Sequence, residues 1–382
     1  MKIKVARLWT QGMSAADGPF VIDIQGSRIT GVTKATDGDA TPVDLSTDLT
    51  AVPGYIDCHE HIGIDVGDEH AQSIDDAPRI MLRGARALAE MTRGGVTTIR
   101  DCGERSDVEP YWVEAQGNGT ITGPRIIRSV TPICRTGGHA WYLGTQSDGP
   151  EEVRKAVRAN VRAGAHFIKV MATGGFGTVG SSPTTPEYSA AELRALVSEA
   201  HRLNRKVAAH AHGGEGVDQA IEAGVDSIEH GCLLTDEQLK LMAERGTTLV
   251  VTMGVGLAFE TAPEVPASIR PRMAAVNGGY WEVLGRARES GVKVTVGSDA
   301  VHGGVAQEMG YLVRAGFSPA EALTAGTATG SELIGRDDLG RLAAGHLADI
   351  TLVDGDPTAD IEAAARVHAV MAEGAWQIAP GA

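Results

Sequence analysis

The chain has 382 residues, of which 42% are hydrophobic and only 4% aromatic. This length suits one large domain with an accessory domain, whose cores must consist mainly of aliphatic side chains. The formal net charge of −15 argues against nucleic acid or an anionic membrane surface as partner, because both are themselves negatively charged.

The N-terminal fifty residues have the pattern of short β-strands. Apolar-rich segments at residues 2–8, 19–25 and 28–34 are separated by turn signals such as Asp17-Gly18 and Gly26. Too few residues are present here to bury one face of a sheet alone. We therefore expect these strands to pair with a segment from elsewhere in the chain.

From residue 51 the pattern changes to short apolar runs alternating with helical periodicity. The runs are typical of buried parallel strands, and glycine usually marks the joint between strand and helix. The predicted strands are 54–58, 97–101, 125–129, 167–172, 206–210, 227–230, 248–252 and 292–297. Eight βα steps predict a (β/α)8 TIM-like barrel. The alternative, a doubly wound sheet, needs a Gly-rich turn after its first strand, where this chain has His59-Glu60-His61.

The C-terminal segment returns to short strands, at residues 349–353 and 367–373. Because neither end of the chain can bury a sheet face alone, we expect both to form one small β-sandwich domain. The predicted division is residues 1–50 and 341–382 for this domain, and residues 51–340 for the barrel.

Metal-binding residue types occur where barrel strands end, which is the catalytic face of this fold. His59 and His61 are two apart on extended backbone, so both point to the same side as a chelating pair. Lys169 lies inside an apolar strand, where an unpaired ammonium is costly. It is either ion-paired to a carboxylate inside the barrel, or converted by carbon dioxide to an anionic carbamate that bridges two cations.

Three further groups follow the later strands. His210 and His230 end successive strands, and Asp299 follows the last one. Convergence at one rim predicts a metal site with six contributors: His59, His61, Lys169, His210, His230 and Asp299.

Several segments resemble motifs of the amidohydrolase superfamily, and in particular its imidazolonepropionase-like group, which includes the Xaa-Pro dipeptidases (prolidases). The matching segments are 53–61 (PGYIDCHEH), 169–175 (KVMATGG), 209–213 (AHAHG), 227–231 (SIEHG), 297–299 (GSD), 345–350 (GHLADI) and 354–357 (DGDP). The resemblance spans nearly the whole chain.

This resemblance implies two divalent metal ions. It assigns one ion to the His-x-His pair with Asp299, the other to His210 and His230, and a bridging position to Lys169 carboxylated on its amine. Zn²⁺ suits nitrogen and oxygen ligands, as do Mn²⁺ and Co²⁺. The implied reaction is hydrolysis of an amide-type C–N bond by a hydroxide that bridges the metals, with Asp299 as general base and then acid.

The substrate is expected to be a small molecule that contacts His139 and His212. His139 lies in a segment that resembles the family's Gly-Gly-His loop. His212 stands where family members often carry Tyr, which puts the usual recognition of a substrate carboxylate in doubt. Leu233 and Leu234 predict an apolar lining, and residues 254–279 are expected to form a long loop beside the pocket.

The substrate class remains open between a dipeptide and a small N-acyl, amide, carbamate or urea compound. A mononuclear deaminase of an aminated heterocycle is an alternative, but it has no need for Lys169 and usually carries His-x-x-Glu, where Gly213 stands here. A non-enzymatic assembly or regulatory subunit is a third possibility. The role of His302 is also left open.

The four cysteines, Cys58, Cys102, Cys134 and Cys232, are widely spaced and form no CxxC pair. This is typical of reduced, buried thiols. With no secretory pattern in residues 1–16 and no long apolar run, we expect a cytoplasmic protein. The resemblance implies a homo-oligomer.

Overall fold

The structure is a computed structural model that describes residues 1–13, 16–36, 43–105 and 108–381. Its N-terminal part consists of four strands, three of which were predicted. They are β1 (Lys2–Leu8), β2 (Ala16–Gln25), β3 (Arg28–Lys34) and β4 (Val43–Pro53).

The central part contains all eight predicted parallel strands and two additional short ones. They are β5 (Tyr55–Glu60), β6 (Val96–Asp101), β7 (Arg125–Arg128), β8 (Ile133–Cys134), β9 (Thr145–Gln146), β10 (Phe167–Met171), β11 (Lys206–Ala211), β12 (Ser227–His230), β13 (Thr248–Val251) and β14 (Val294–Val296). They form one sheet in the order β5-β6-β7 and another in the order β14-β13-β12-β11-β10-β8-β9.

Backbone hydrogen bonds connect these two sheets, between the ends of β5 and β14 and between β7 and the residue that precedes β10. The Asp299 amide donates to the His59 carbonyl over 2.8 Å, and the His166 amide donates to the Arg128 carbonyl, also over 2.8 Å. Strands and surrounding helices share one large hydrophobic core. The result is an α/β fold of the TIM-barrel type, whereas closure of all eight strands into one ring stays a prediction.

Helices follow most barrel strands, as the periodicity predicted. They are α1 (Glu69–Ser73), α2 (Ala77–Arg93), α3 (Glu109–Gly117), α4 (Gly149–Arg162), α5 (Ala190–Arg202), α6 (Glu215–Ala223), α7 (Asp236–Arg245), α8 (Met253–Thr261), α9 (Arg270–Ser290), α10 (Val305–Arg314), α11 (Pro319–Thr324) and α12 (Gly330–Ile334). Ser189, Thr235 and Ser318 begin three of them with capping boxes, which satisfy free backbone amides. Within the described ranges, none of the helices has the length and apolar character needed to span a bilayer.

The prediction of a long loop at residues 254–279 is wrong, because helices α8 and α9 occupy most of this segment. Helix α8 buries Met253, Val255 and Phe259. A helix buried on more than one side has no polar face, so its sequence lacks the period that usually identifies a helix.

Strands from both chain ends share one sheet, as expected. The C-terminal strands are β15 (Ile350–Asp354), β16 (Val367–Ala372) and β17 (Ala375–Ile378), and the sheet order is β17-β16-β15-β4-β1-β2-β3. Residues from both halves, such as Ile22 and Leu352, share a second hydrophobic core. The predicted sandwich is thus one continuous hydrogen-bonded sheet, and its division from the barrel at residues 50 and 341 stays a prediction.

Candidate metal centre

The first histidine pair lies at the C-terminal end of β5. The ring centroids of His59 and His61 are 5.5 Å apart. His59 Nδ1 lies 2.7 Å from Glu229 Oε2, and His61 Nδ1 lies 2.7 Å from the Gly103 carbonyl oxygen. Because each Nδ1 already has a partner, Nε2 is the nitrogen through which each ring can bind a metal ion.

Asp299 follows β14 on a backbone that L-residues rarely adopt. Its φ is 47°, and that of Ala300 is 69°. The Asp299 amide is fixed by the His59 carbonyl, and the Ala300 amide donates to Glu60 Oε1 over 2.7 Å. Backbone strain that is held in place by such bonds is typical of functional sites.

The Asp299 carboxylate lies between two histidines. Its Oδ1 is 3.6 Å from His59 Nε2, and its Oδ2 is 3.6 Å from His230 Nδ1. His230 also has a positive φ, 69°, and its Nδ1 lies 2.7 Å from Thr252 Oγ1. The His210 ring lies 4.7 Å from that of His230. The two histidine pairs predicted from separate strands therefore share one site.

Lys169 is buried in β10 with 1% of its surface exposed. Its Nζ lies 3.3 Å from His59 Nε2. Among the described residues no carboxylate lies within 4.0 Å of this nitrogen. The intramolecular ion pair, one of the two alternatives for Lys169, is therefore not found there.

Burial keeps the four histidine rings neutral. It lowers the pKa of His61 to about 4, and it lowers the pKa values of His59, His210 and His230 well below their usual range. Neutral imidazole is the form that binds a metal ion. Burial also raises the pKa of Asp299 well above its usual range, and the negative charge of Glu69 adds to this effect, whereas the Lys169 charge opposes it.

The residues present fit a divalent metal site. One ligand atom from each of His59, His61 and Asp299 lies within 4.8 Å of the others. Nitrogen and carboxylate oxygen donors of this kind suit Zn²⁺ and other first-row divalent ions.

The two predicted substrate-contacting histidines line the same pocket. The His139 ring lies 4.3 Å from that of His210, and His139 Nδ1 lies 3.0 Å from Thr178 Oγ1. The His212 ring stacks on His230 with centroids 5.0 Å apart. Burial lowers the pKa values of His139 and His212 to about 3, so both are neutral at pH 7.

The pocket above these groups has a largely apolar wall. Its wall includes Leu143, Met171, Phe176, Val255, Phe259 and Met273. Leu233 and Leu234 were predicted to line the pocket, but neither is among its lining residues. The neighbouring Cys232 lines it instead. Helices α8 and α9 border the pocket, so the predicted location of segment 254–279 is confirmed although its form is not.

His302 does not line the pocket. Its two nitrogens lie 3.1 Å from Glu60 Oε2 and 3.1 Å from Asp65 Oδ1. His302 thus supports Glu60, which in turn fixes the backbone next to Asp299.

The sequence did not reveal the buried ion pair that contacts His59. Arg100 in β6 donates to both carboxylate oxygens of Glu229, over 2.7 and 2.6 Å. Both side chains are almost fully buried. The available signal was an Arg and a Glu at inward positions of two apolar barrel strands, where a buried charge requires a partner.

Known proteins resemble this chain in sequence and in structure. The Amidohydrolase family matches residues 50–376. Ochratoxinase from Aspergillus niger is 32% identical over 354 residues, which cover 81% of this chain and 71% of ochratoxinase. The solved structure of a Xaa-Pro dipeptidase with bound methionine in the active site has a TM-score of 0.91 and 30% identity over 99% of both chains. The solved structure of a prolidase complexed with N-methylphosphonate-L-proline has a TM-score of 0.92 and 28% sequence identity, over 99% of this chain and 100% of the prolidase chain.

The chain therefore belongs to the amidohydrolase family, as its motifs predicted. It is a hydrolase that acts on amide C–N bonds.

Proposed function

We propose that the protein hydrolyses the C–N bond of a dipeptide or of a small N-acyl, amide or carbamate compound, with two divalent metal ions as cofactors. The observation that carries this proposal is the convergence of the six predicted groups in one pocket. A single-ion deaminase has no use for a buried lysine at this position, and Lys169 has no carboxylate partner among the described residues.

Each ligand has a proposed place. The first pair, His59 and His61, would hold one ion with Asp299, whereas His210 and His230 would hold the other. Lys169, once its amine has combined with carbon dioxide and released a proton, would supply an anionic bridge between them. When bound, such ions acidify water and polarise the substrate carbonyl.

Asp299 is the proposed proton carrier. The bond from its amide to the His59 carbonyl keeps its carboxylate directed between the histidine rings. It would accept a proton from the attacking water as the new C–O bond forms, and return it to the leaving nitrogen as the C–N bond breaks. Neutral His139 and His212 would donate hydrogen bonds to the substrate.

Metal analysis and turnover test this proposal together. The wild-type protein and the Lys169→Met variant are loaded with Zn²⁺, Mn²⁺ or Co²⁺ and assayed on dipeptides, N-acyl amino acids and carbamates. We expect about two ions per chain and turnover in the wild type, and loss of both in the variant. The exposed Lys240→Met substitution on α7 serves as the matched control.

The carbamate has its own signature. Protein equilibrated with ¹³C-bicarbonate is expected to show a carbamate carbon resonance that Lys169→Met lacks. One ion per chain with full turnover by Lys169→Met would contradict the two-metal proposal and favour the single-ion alternative.

A further inference from the structure

The pocket contains a second acidic group besides Asp299. Glu69 of helix α1 lines the pocket and is partly buried. The Tyr142 hydroxyl donates to Glu69 Oε2 over 2.8 Å. The backbone at Gly177 is close on the other side, because a Cβ at this position would lie 2.9 Å from the same oxygen.

The Glu69 carboxylate has no cationic partner in the part of the chain that the structure describes. Among the described residues no Lys, Arg or His nitrogen lies within 4.0 Å of it. Burial raises the pKa of Glu69, and only the Tyr142 bond opposes this effect. A desolvated carboxylate is costly unless a cation or several donors compensate it.

A substrate carboxylate, in contrast, would find no guanidinium among the described residues that line this pocket. Lys169 is the one Lys or Arg among those residues, and it is assigned to the metal centre as an anionic carbamate. Arg272 is not one of the residues that line the pocket. Its guanidinium donates hydrogen bonds to the carbonyl oxygens of Phe176 and Ser181, over 3.0 and 2.6 Å. The charges of the lining residues outside the proposed metal centre therefore favour a positively charged substrate group over a negatively charged one.

Aromatic side chains line the same pocket as Glu69. Among them are Tyr142, Phe176 and Phe259. The faces of such rings attract ammonium groups, and most strongly where water is excluded. A carboxylate, a hydroxyl and aromatic rings together form a receptor for an alkylammonium group on an apolar body.

We propose that Glu69 and Tyr142 bind a free ammonium group of the substrate, so that the preferred substrates are aminoacyl amides with an apolar side chain. This inference rests on the proposed amide hydrolysis and narrows its substrate class. N-acyl amino acids, which carry a carboxylate and no amine, are disfavoured. Glu69 is assigned to substrate specificity, because it contacts Tyr142 and is not one of the six groups proposed for the metal centre.

Two chromogenic substrates that differ only in the amine test the proposal. Leucine 4-nitroanilide carries the α-ammonium group, and 4-methylpentanoyl 4-nitroanilide lacks it. At pH 6.5 the α-amine is mostly protonated, since its pKa is about 7.7–8.0. We expect the metal-loaded wild type to prefer the amine by at least about tenfold in kcat/KM, chiefly through KM.

The Glu69→Gln variant keeps the shape of the side chain and removes its charge. We expect it to lose the preference by at least about tenfold, measured as the ratio of the two kcat/KM values, in which any common change in rate cancels. An unchanged urea-unfolding midpoint and an unchanged metal content show that the variant is folded and loaded. Glu264→Gln, which removes an exposed carboxylate near the pocket, is expected to retain the preference.

The outcomes separate this inference from the function on which it rests. Equal kcat/KM for both anilides, or an unchanged preference in Glu69→Gln, would overturn the ammonium site and leave amide hydrolysis intact. Hydrolysis of neither anilide, with turnover of N-acyl amino acids, would overturn the substrate class alone. Absence of turnover on every amide tested would overturn the proposed function as well.

Discussion

Glu229 lies between a buried cation and a proposed metal ligand. It accepts two hydrogen bonds from Arg100, and its Oε2 lies 2.7 Å from His59 Nδ1. A carboxylate in this position fixes the ring tautomer with the proton on Nδ1 and leaves Nε2 free for a metal. The orientation of His59 therefore depends on a buried residue that is not part of the pocket lining.

Substitution of Glu229 by Gln is expected to weaken metal binding by about 10–100-fold. The amide keeps the size of the side chain but can no longer hold the ring proton as strongly. Competition with a chromophoric chelator measures the affinity without any need for turnover. The exposed Glu222→Gln on α6 is the control, and equal affinities for all three proteins would refute the role given to Glu229.

His302 shows how charge stabilises the fold near the site. Burial alone would lower the pKa of His302, but the Glu60 charge and the bonds to Asp65 and Glu60 outweigh it and raise the pKa to about 10. The ordinary value is 6.5. Because the folded state holds this proton more tightly, the stabilisation is complete below pH 6.5 and is lost as the pH rises through 10.

The His302→Gln variant is therefore expected to be less stable than the wild type by a few kcal/mol at pH 6.5. The difference in the free energy of unfolding should shrink steadily toward pH 10, where the wild-type imidazole loses its proton and its charge. Urea unfolding at pH 6.5, 8 and 10 measures it. A difference that does not change with pH would show that packing, and not the charged pair, accounts for the loss.

At the level of secondary structure, the sequence identified elements best where one local signal dominated. Glycine joints and continuous apolar runs predicted every long barrel strand. Helix α8 was missed because it is buried on several sides. The pairing of Arg100 with Glu229 and the positive φ of Asp299 depend on contacts between distant segments, which local patterns do not encode.

Helix α9 is joined to the loop that follows β10 through one side chain. Arg272 donates to the carbonyl oxygens of Phe176 and Ser181, and its guanidinium lies 5.8 Å from the Phe176 ring centroid. A planar guanidinium can reach several acceptors at once, which a lysine ammonium at the end of a flexible chain does less well. Arg272 thus links helix α9 to the loop after β10, and both of these segments border the pocket.

The Arg272→Lys variant is expected to raise KM several-fold with a smaller change in kcat, because the Phe176 wall loosens while the metal ligands stay in place. Steady-state kinetics on any accepted substrate give both constants. Arg270→Lys on the same helix, whose guanidinium bonds to Val265 and Pro263 carbonyls, is the control. A fall in kcat alone would contradict this account, since it would place Arg272 in the chemical step.

At the scale of the whole molecule, the proposed metal ligands connect both parallel sheets. His59 belongs to the sheet β5-β6-β7, whereas His210 and His230 belong to the sheet that runs from β14 to β9. Asp299 follows β14 and bonds to the His59 backbone. A metal ion held by these groups would link segments that are separated by most of the chain.

Removal of metal should therefore destabilise the whole barrel and not only the pocket. A ligand that binds only the folded state stabilises it by about 2.7 kcal/mol at 100 times its Kd. We expect the Tm of protein treated with a chelator to fall by several degrees and to recover when Zn²⁺ is added back. The His59→Asn variant should show little of this response, because it loses a ligand at the junction of the two sheets. An equal Zn²⁺-dependent shift in wild type and variant would mean that the ion binds elsewhere, and the convergence of these side chains would then need another explanation.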